Sequence, residues 1–297
     1  MRHLLNVTDF TAEELVQVLH LAERTDLRRV FAGSGVALIF EKPSNRTRQS
    51  MEMAVVQLGG HPVYTRGEEV GFDVRESVED VTHVMAGYHS MLAARVFDHA
   101  VVERMAAVAT VPIVNMLSDY SHPLQGLADV LTMQQVHGPL VGKTVAYIGD
   151  YNNVSRSLAE ATVLLGGNVV LGCPVGYHAA DAELERLNLL GDGRVSQVDG
   201  AADAVVGAIA VHTDTWTSMG QEAEKDDRKQ AFEGYTVTEQ MMAGAAPGAG
   251  FYHCLPAYRG YEVAADVIDG PRSFVFQQAH NRMHAARGAL AFLMGVR

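Results

Sequence analysis

The segment Ser44–Arg48 (SNRTR) has the composition of an anion-binding site. It follows a short apolar segment, Val36–Phe40, and starts a helical pattern, so we expect it at a strand-to-helix turn. Backbone N–H groups at a helix start favour negative charge. Two hydroxyls add donors, and an arginine guanidinium can bind two phosphate oxygens at once. The alternative is a capped helix with solvent-facing arginines, but so many donors in five residues favour a phosphate site.

Other polar residues follow further apolar segments that we predict to be strands. In chain order they are Arg95, Asn115, Asp119, His122, Asp150, Asn153, Asp214, His253 and Cys254. Ligands of open parallel sheets bind at the carboxyl ends of the strands, so we expect these side chains to face a shared cleft.

His122-Pro123-Leu124-Gln125 starts a helix after a turn. A histidine there can polarise a carbonyl oxygen, and a glutamine one turn later can bond an amide. An N-terminal proline motif with a surface histidine is the alternative. Arg95 could likewise be a salt-bridge partner. Both residues gain functional weight only from the other candidates.

Asp150–Asn153 lies where a dinucleotide fold has its glycine loop, but the G-x-G-x-x-G spacing is absent. A nicotinamide or flavin cofactor is therefore not expected. Either an Asx turn or amides that recognise a zwitterionic substrate would explain Asn152 and Asn153. Both interpretations stay open.

Two further loops carry reactive side chains. Asp214 suits a substrate ammonium, although the segment through Ser218 and Gln221 could simply cap a helix. His253-Cys254 suggests a Cys–His nucleophile. A buried, inert cysteine is commoner, and adjacent residues of a strand point to opposite faces. No Walker loop, G-x-S-x-G, H-E-x-x-H or C-x-x-C motif is present, so hydrolase, P-loop and zinc functions lack support.

Repeated strand–helix alternation predicts an α/β fold with two domains, each a parallel sheet flanked by helices. We expect a first domain at 1–136, a second at 137–275, and a C-terminal helix at 276–297 that returns to the first. Helices at 122–136 and at the C-terminus would connect them. With 297 residues, 48% of them hydrophobic, the chain can form two cores.

The overall charge limits the classes of partner. The number of cysteines indicates the cellular compartment. The formal net charge of −12 argues against nucleic acid or an anionic membrane as a partner. Two cysteines and the lack of a signal segment or an apolar run of about 20 residues predict a cytoplasmic protein.

Taken in order, these motifs resemble the aspartate/ornithine transcarbamoylase family, and they do so over nearly the whole chain. Ser44–Arg48 is similar to the family's Ser-Thr-Arg-Thr-Arg loop, and His122–Gln125 to its His-Pro-x-Gln motif. Asp214 with Ser218-Met219-Gly220 resembles the element that marks the ornithine branch. His253-Cys254-Leu255-Pro256 resembles the His-Cys-Leu-Pro loop.

The resemblance implies a role for each matching residue. The implied ligands of carbamoyl phosphate are Ser44, Asn45, Arg46, Thr47, Arg48, Arg95, His122, Gln125, Leu255 and Arg282. The implied ligands of ornithine are Asn115, Asn153, Asp214, Ser218, Met219 and Cys254, with Asp119 nearby. The implied catalytic residues are Arg95, His122, Gln125, Asp214, Cys254 and Arg282.

The implied reaction moves a carbamoyl group from carbamoyl phosphate to the δ-amine of L-ornithine, giving L-citrulline and phosphate, with no metal or cofactor. The resemblance also implies a homotrimer. A sibling that uses acetylornithine, putrescine or aspartate is the alternative, as is a non-catalytic anion-binding relative. Three positions depart from the family pattern: Asn45 stands for Thr, Tyr258 for His and His280 for Glu. The last two concern the amine site and leave the phosphate site unchanged.

Overall fold

The computed structural model describes residues 1–217 and 222–297, which divide into two compact units. The first unit comprises Met1–Ala128 and His280–Arg297, and the second comprises Asp129–Ala279. The sequence places the first boundary later, at 136/137. The end of the connecting helix belongs to the second unit, where His137 Nε2 lies 3.0 Å from the Tyr252 hydroxyl.

The first unit contains a four-stranded parallel sheet. Its strands are β1 (Gly35–Phe40), β2 (His61–Arg66), β3 (Met91–Arg95) and β4 (Ile113–Leu117), in the order β2-β1-β3-β4. β1 and β3 are central and almost entirely buried, which explains their continuous apolar sequence. Phe40 pairs with Arg95, so the segments after β1 and β3 leave the sheet side by side.

Helices flank this sheet and start at recognisable caps. They are α1 (Ala12–Glu23), α2 (Asn45–Gln57), α3 (Gly67–Val70), α4 (Val78–Ala86) and α5 (His99–Val108). Thr11 and Glu14 form a capping box on α1, and Ser77 caps α4. A 3₁₀ turn, Val7–Asp9, precedes α1. The next helix, α6 (Pro123–His137), contributes residues to both units.

The second unit contains a five-stranded parallel sheet. Its strands are β5 (Thr144–Ile148), β6 (Asn168–Gly172), β7 (Val195–Val198), β8 (Ala210–Thr213) and β9 (Gly250–His253), in the order β7-β6-β5-β8-β9. Ile148 pairs with Thr213, which pairs with His253. The three strands therefore end at the same level, and the loops that follow them are neighbours.

Within the described residues, seven helices accompany this sheet or continue from it. They are α7 (Asn153–Leu164), α8 (Asp181–Asn188), α9 (Ala201–Ala204), α10 (Lys225–Ala231), α11 (Glu239–Ala243), α12 (Ala265–Ile268) and α13 (Val275–Leu293). A 3₁₀ turn, Glu222–Glu224, precedes α10. The last helix, α13, contributes residues to both units, as α6 does.

The fold is the predicted α/β architecture with two parallel sheets. The sequence patterns did not predict two of its strands, β2 and β7. β2 and β7 lie at sheet edges and are only partly buried, so their sequences lack the apolar runs of central strands. In the part of the chain that the structure describes, no helix is long and apolar enough to cross a membrane.

Candidate active site

In the first unit, the hydroxyl of Thr47 is the point on which several predicted site residues converge. Ser44 caps α2, and its Oγ lies 3.1 Å from Thr47 Oγ1. Arg95, the last residue of β3, donates from Nη1 to Thr47 Oγ1 at 3.1 Å. Arg282 of α13 donates from Nη2 to the same oxygen at 3.2 Å. Two guanidinium groups thus share one neutral acceptor at a helix N-terminus.

Arg282 extends this cluster to the start of α6. Its Nη1 donates to Gln125 Oε1 at 2.6 Å, so the oxygen of the Gln125 amide is the atom turned toward Arg282. Thr47 and Gln125 are 1% exposed, Arg282 5% and Arg95 6%. Positive charge at such depth, beside the N-terminus of α2, makes this region suited to an anion.

His122 lies next to the same two arginines and is buried. Burial, and then the charges of Arg282 and Arg95, hold the pKa of His122 well below its ordinary value. The imidazole is therefore neutral at physiological pH. A neutral imidazole can donate one N–H to a substrate oxygen, while its second nitrogen stays an acceptor.

The other residues of the SNRTR segment lie apart from this cluster. Arg46 and Asn45 are exposed. Arg48 donates to Glu52 at 2.7 Å, and its guanidinium lies 3.9 Å from the ring centroid of Tyr64. Tyr64 and Glu52 thus hold Arg48 at the rim of the helix start. Neither of these two contacts was predicted from the sequence. Tyr64 comes from β2, a strand that the sequence patterns did not predict.

Asn115 is the middle residue of β4 and is fully buried. Its amide nitrogen faces the carbonyl oxygens of Leu5 at 2.9 Å and of Ser121 at 3.2 Å. These bonds hold the loop that leads to His122. Asp119 accepts the His99 N–H at 2.9 Å and fixes the same loop. The contacts favour a positioning role for both residues.

In the second unit, Asp214 and Cys254 form a direct pair. The Cys254 thiol donates to Asp214 Oδ1 at 2.9 Å. The strand register explains the contact, because Thr213 of β8 pairs with His253 of β9 and the next residue of each strand follows. Asp214 is 6% exposed and Cys254 is half-buried. A carboxylate and a thiol in direct contact suit an amine ligand.

His253 holds the loop that carries Cys254 and Leu255. Its Nδ1 accepts the Leu255 N–H at 2.8 Å, and its Nε2 lies 3.2 Å from Glu262 Oε1. Leu255 has a φ of +58°, so this contact helps to keep it in the left-handed region. Glu262 also accepts the Tyr258 N–H at 2.5 Å. His253 is thus committed to the loop, which argues against a Cys–His nucleophile.

In the loop after β5, the two asparagines singled out from the sequence have different contacts. Asn152 Oδ1 accepts the N–H groups of Val154 and Ser155 at 2.8 and 3.1 Å and caps α7. That is the Asx-type role. Asn153 is the first residue of α7 and half-buried, so it is the asparagine of the pair that stays a ligand candidate.

Asp150 precedes these asparagines and forms a buried ion pair with Arg228 of α10. Burial raises the pKa of Asp150 to about 6; the Arg228 charge opposes the shift and Asp214 adds to it. Arg228 also donates to the Trp216 carbonyl. The pair therefore ties the loop after β8 to the loop after β5. Ser218 and Met219, both predicted ornithine ligands, lie outside the described residues.

One group in the described ranges could offer three metal ligands, namely Asp214, His253 and Cys254. Their ligand atoms lie within 4.8 Å of one another. A metal there would have to displace the Leu255 N–H or Glu262 from the His253 ring. The grouping follows from the loop architecture, and we assign no metal to it.

Two family models match the chain along its length. Residues 2–135 match the carbamoyl-P binding domain of aspartate/ornithine carbamoyltransferase. Residues 141–293 match the Asp/Orn binding domain of the same family.

Individual proteins of known name also match this chain over almost its full length. The ornithine carbamoyltransferase of Parafrankia sp. is 42% identical over 304 aligned residues, covering 99% of this chain and 96% of the relative. The solved ornithine carbamoyltransferase of Pyrococcus furiosus superposes with a TM-score of 0.94 at 40% identity, covering 100% of this chain and 98% of the other. The Thermus thermophilus enzyme gives a TM-score of 0.90 at 41% identity, with 99% of both chains covered.

Proposed function

We propose, from the fact that this chain belongs to the aspartate/ornithine carbamoyltransferase family, that it transfers a carbamoyl group from carbamoyl phosphate to the δ-amine of L-ornithine. The products are L-citrulline and phosphate. The observation that carries the chemistry is the convergence of Arg95 and Arg282 on the Thr47 hydroxyl.

The cluster in the first unit suits carbamoyl phosphate group by group. The start of α2 and the guanidinium of Arg95 bind the phosphate oxygens. Neutral His122 and Thr47 donate to the carbonyl oxygen. The Gln125 side chain, oriented by Arg282, binds the carbamoyl amide. Donors fixed on an oxygen that gains negative charge contribute ~3 kcal/mol each to lowering the barrier.

The loops of the second unit suit the amino acid. Asp214 accepts from an ammonium, and Asn153 offers an amide to the carboxylate. Cys254, held against Asp214, positions the δ-amine. Ser218 and Met219 complete the predicted ornithine ligands. The Leu255 carbonyl, from the same loop as Cys254, is instead a predicted ligand of the carbamoyl amide. Asn115 and Asp119 support the site through the loop before His122.

The reaction is a nucleophilic substitution at the carbonyl carbon. The uncharged δ-amine attacks this carbon, and the carbonyl oxygen gains negative charge. The C–O bond to phosphate then breaks, a C–N bond remains, and phosphate leaves with one proton from the amine. Holding both reactants in line can contribute about 7–11 kcal/mol in favourable models.

The sibling activities predict different amine sites. Acetylornithine has no α-ammonium for Asp214, and putrescine has no carboxylate. A non-catalytic relative would have no use for the buried Thr47, Gln125 and Arg282 cluster, which is intact here. These features favour an enzyme that acts on unmodified ornithine.

The amine preference is tested by steady-state kinetics with carbamoyl phosphate and each of ornithine, acetylornithine, putrescine and aspartate. We expect kcat/KM for ornithine to exceed the others by at least ~100-fold, because a missing ionic partner leaves a buried charge unpaired. A higher kcat/KM for any other amine would assign the chain to a sibling activity.

The proposal includes a cytoplasmic homotrimer. The two non-disulfide cysteines support the compartment. Sedimentation equilibrium tests the assembly, with three times the 32.1 kDa of one chain as the expected mass.

A further inference from the structure

A buried amide on α13 contacts the strand that ends beside the amine site. Gln278 is 0% exposed and belongs to the second unit. Its Nε2 donates to Asp129 Oδ1 of α6 at 2.6 Å. Its Oε1 accepts the backbone N–H of His253, the last residue of β9, at 2.9 Å.

These partners fix the orientation of the Gln278 amide. A carboxylate can only accept from it, and a backbone N–H can only donate to it. The same Nε2 lies 3.0 Å from His212 Nε2, a ring nitrogen that is also 3.5 Å from Asp129 Oδ2. The amide is therefore oriented with its nitrogen toward Asp129 and its oxygen toward the His253 N–H.

The bond between Gln278 and the His253 N–H satisfies a backbone donor that has no partner within the sheet. β9 is a terminal strand, so every second N–H points away from β8 and has no strand partner. The Phe251 N–H bonds the Arg272 carbonyl at 2.8 Å. Two residues later, the His253 N–H bonds Gln278. This side chain thus fixes the strand one residue before Cys254.

We propose that Gln278 is a positioning residue for the reaction: it anchors the end of β9 and so holds the Cys254 thiol against the Asp214 carboxylate. Asp129 orients the amide that does this. The inference rests on the proposed function for the role of Cys254. It assigns Gln278 no contact with substrate.

Gln278→Met removes both the donor and the acceptor at similar volume. We expect kcat/KM for ornithine to fall roughly 10- to 100-fold, with the ornithine KM rising more than the carbamoyl phosphate KM. Gln277→Met is the matched control. Gln277 is the exposed neighbour on α13 and bonds only Gln135 among the described contacts, so its kinetics should match the unmodified protein.

The second readout is the rate at which iodoacetamide alkylates Cys254, followed by peptide mass mapping. The other cysteine, Cys173, is buried. In Gln278→Met the thiol loses its fixed contact with Asp214, and we expect alkylation several-fold faster. This rate reports position even if ornithine proves not to be the substrate. A role in stability alone would lower Tm and leave the rate and the KM ratio unchanged, which would overturn the proposal.

A pair of variants keeps the test decisive if Gln278→Met does not fold. Gln278→Glu keeps the acceptor for His253 but sets a carboxylate against Asp129. Adding Asp129→Asn restores a donor, because the Asn amide can bond the new carboxylate. At pH 8.5 we expect the double variant to recover most of the ornithine kcat/KM that Gln278→Glu loses. Equal values for the two would contradict the proposal.

Discussion

At the scale of single residues, the Thr47 hydroxyl has an unusual set of neighbours. Arg95 and Arg282 are both buried, and both donate to this neutral oxygen. Taking two guanidinium groups out of water costs free energy of hydration. An anionic ligand would compensate for this cost more than a neutral hydroxyl does, so the arrangement is one that favours phosphate binding.

Thr47→Val keeps the shape of the side chain and removes the shared acceptor. We expect kcat/KM for carbamoyl phosphate to fall roughly 10²- to 10³-fold, because the arginines lose their common orientation and the site loses a donor. Ser50→Ala is the control. It removes a hydroxyl that bonds the Thr47 carbonyl at 3.1 Å on the same helix, outside the cluster. Similar losses in both variants would point to helix stability instead.

The depressed pKa of His122 predicts that the free energy of unfolding depends on pH. Its pKa is depressed in the folded state, so below the unfolded pKa of about 6.5 the unfolded chain binds a proton that the native protein does not. The stabilisation that buried, neutral His122 gives to the fold is therefore complete above about pH 6.5. Below that pH it is lost, by up to ~1.4 kcal/mol of unfolding free energy per pH unit.

Urea unfolding between pH 5 and 7 measures this effect. His122→Gln should show a shallower fall in the free energy of unfolding than the unmodified protein. His83→Gln, at an exposed position of α4, controls for the substitution itself. An unchanged slope in His122→Gln would show that His122 titrates normally.

At the scale of elements, strand register places the amine site. β8 and β9 pair Thr213 with His253, and the next residues of the two strands meet as Asp214 and Cys254. The loop after β9 then depends on His253, whose two ring nitrogens bond Leu255 and Glu262.

Two substitutions separate these two bonds of His253. Asn offers an oxygen near the position of Nδ1, and Gln offers an N–H near the position of Nε2. We expect His253→Asn to keep more turnover than His253→Gln, by roughly 10-fold, since the Leu255 N–H bond sets the loop conformation. Steady-state kcat values decide the comparison. A more active His253→Gln would assign the main role to Glu262.

Two Arg–Asp pairs of the second unit differ in burial. Arg228 is 4% and Asp150 9% exposed by side chain, whereas Arg259 and Asp269 are 46% and 52% exposed. Arg228→Gln leaves Asp150 buried without its cation and should cost ~3–5 kcal/mol of unfolding free energy. Arg259→Gln should change it little, because water screens that pair. Urea unfolding of both variants measures the difference.

At the scale of the whole molecule, the alternation of apolar strands and helical segments was enough to predict two parallel α/β sheets. The apolar runs Thr144–Ile148 and Asn168–Gly172 predict two strands, and β5 and β6 have these bounds, because strands largely buried on both faces have continuous apolar sequences. The edge strand β7 was not predicted, since it has one buried residue among four and lacks a continuous apolar run.

The candidate site was predicted as a list of residues, and the structure adds their partners. Residue types at a strand end identify Thr47 or Asp214 as candidates. They do not reveal that Arg48 bonds Glu52 and Tyr64, or that Gln278 reaches His253. Such pairs join residues far apart in the chain, and their spacing leaves no local pattern.

The central claim is that a carbamoyl group is transferred, and ³¹P NMR with mass spectrometry tests it directly. The full chain is incubated with carbamoyl phosphate, with and without ornithine, beside an enzyme-free sample that corrects for spontaneous decay. We expect enzyme-dependent phosphate release only with ornithine, matched mole for mole by citrulline. Enzyme-dependent release without an amine would show a phosphatase, and no release in either sample would show a binding protein; both results contradict the assignment.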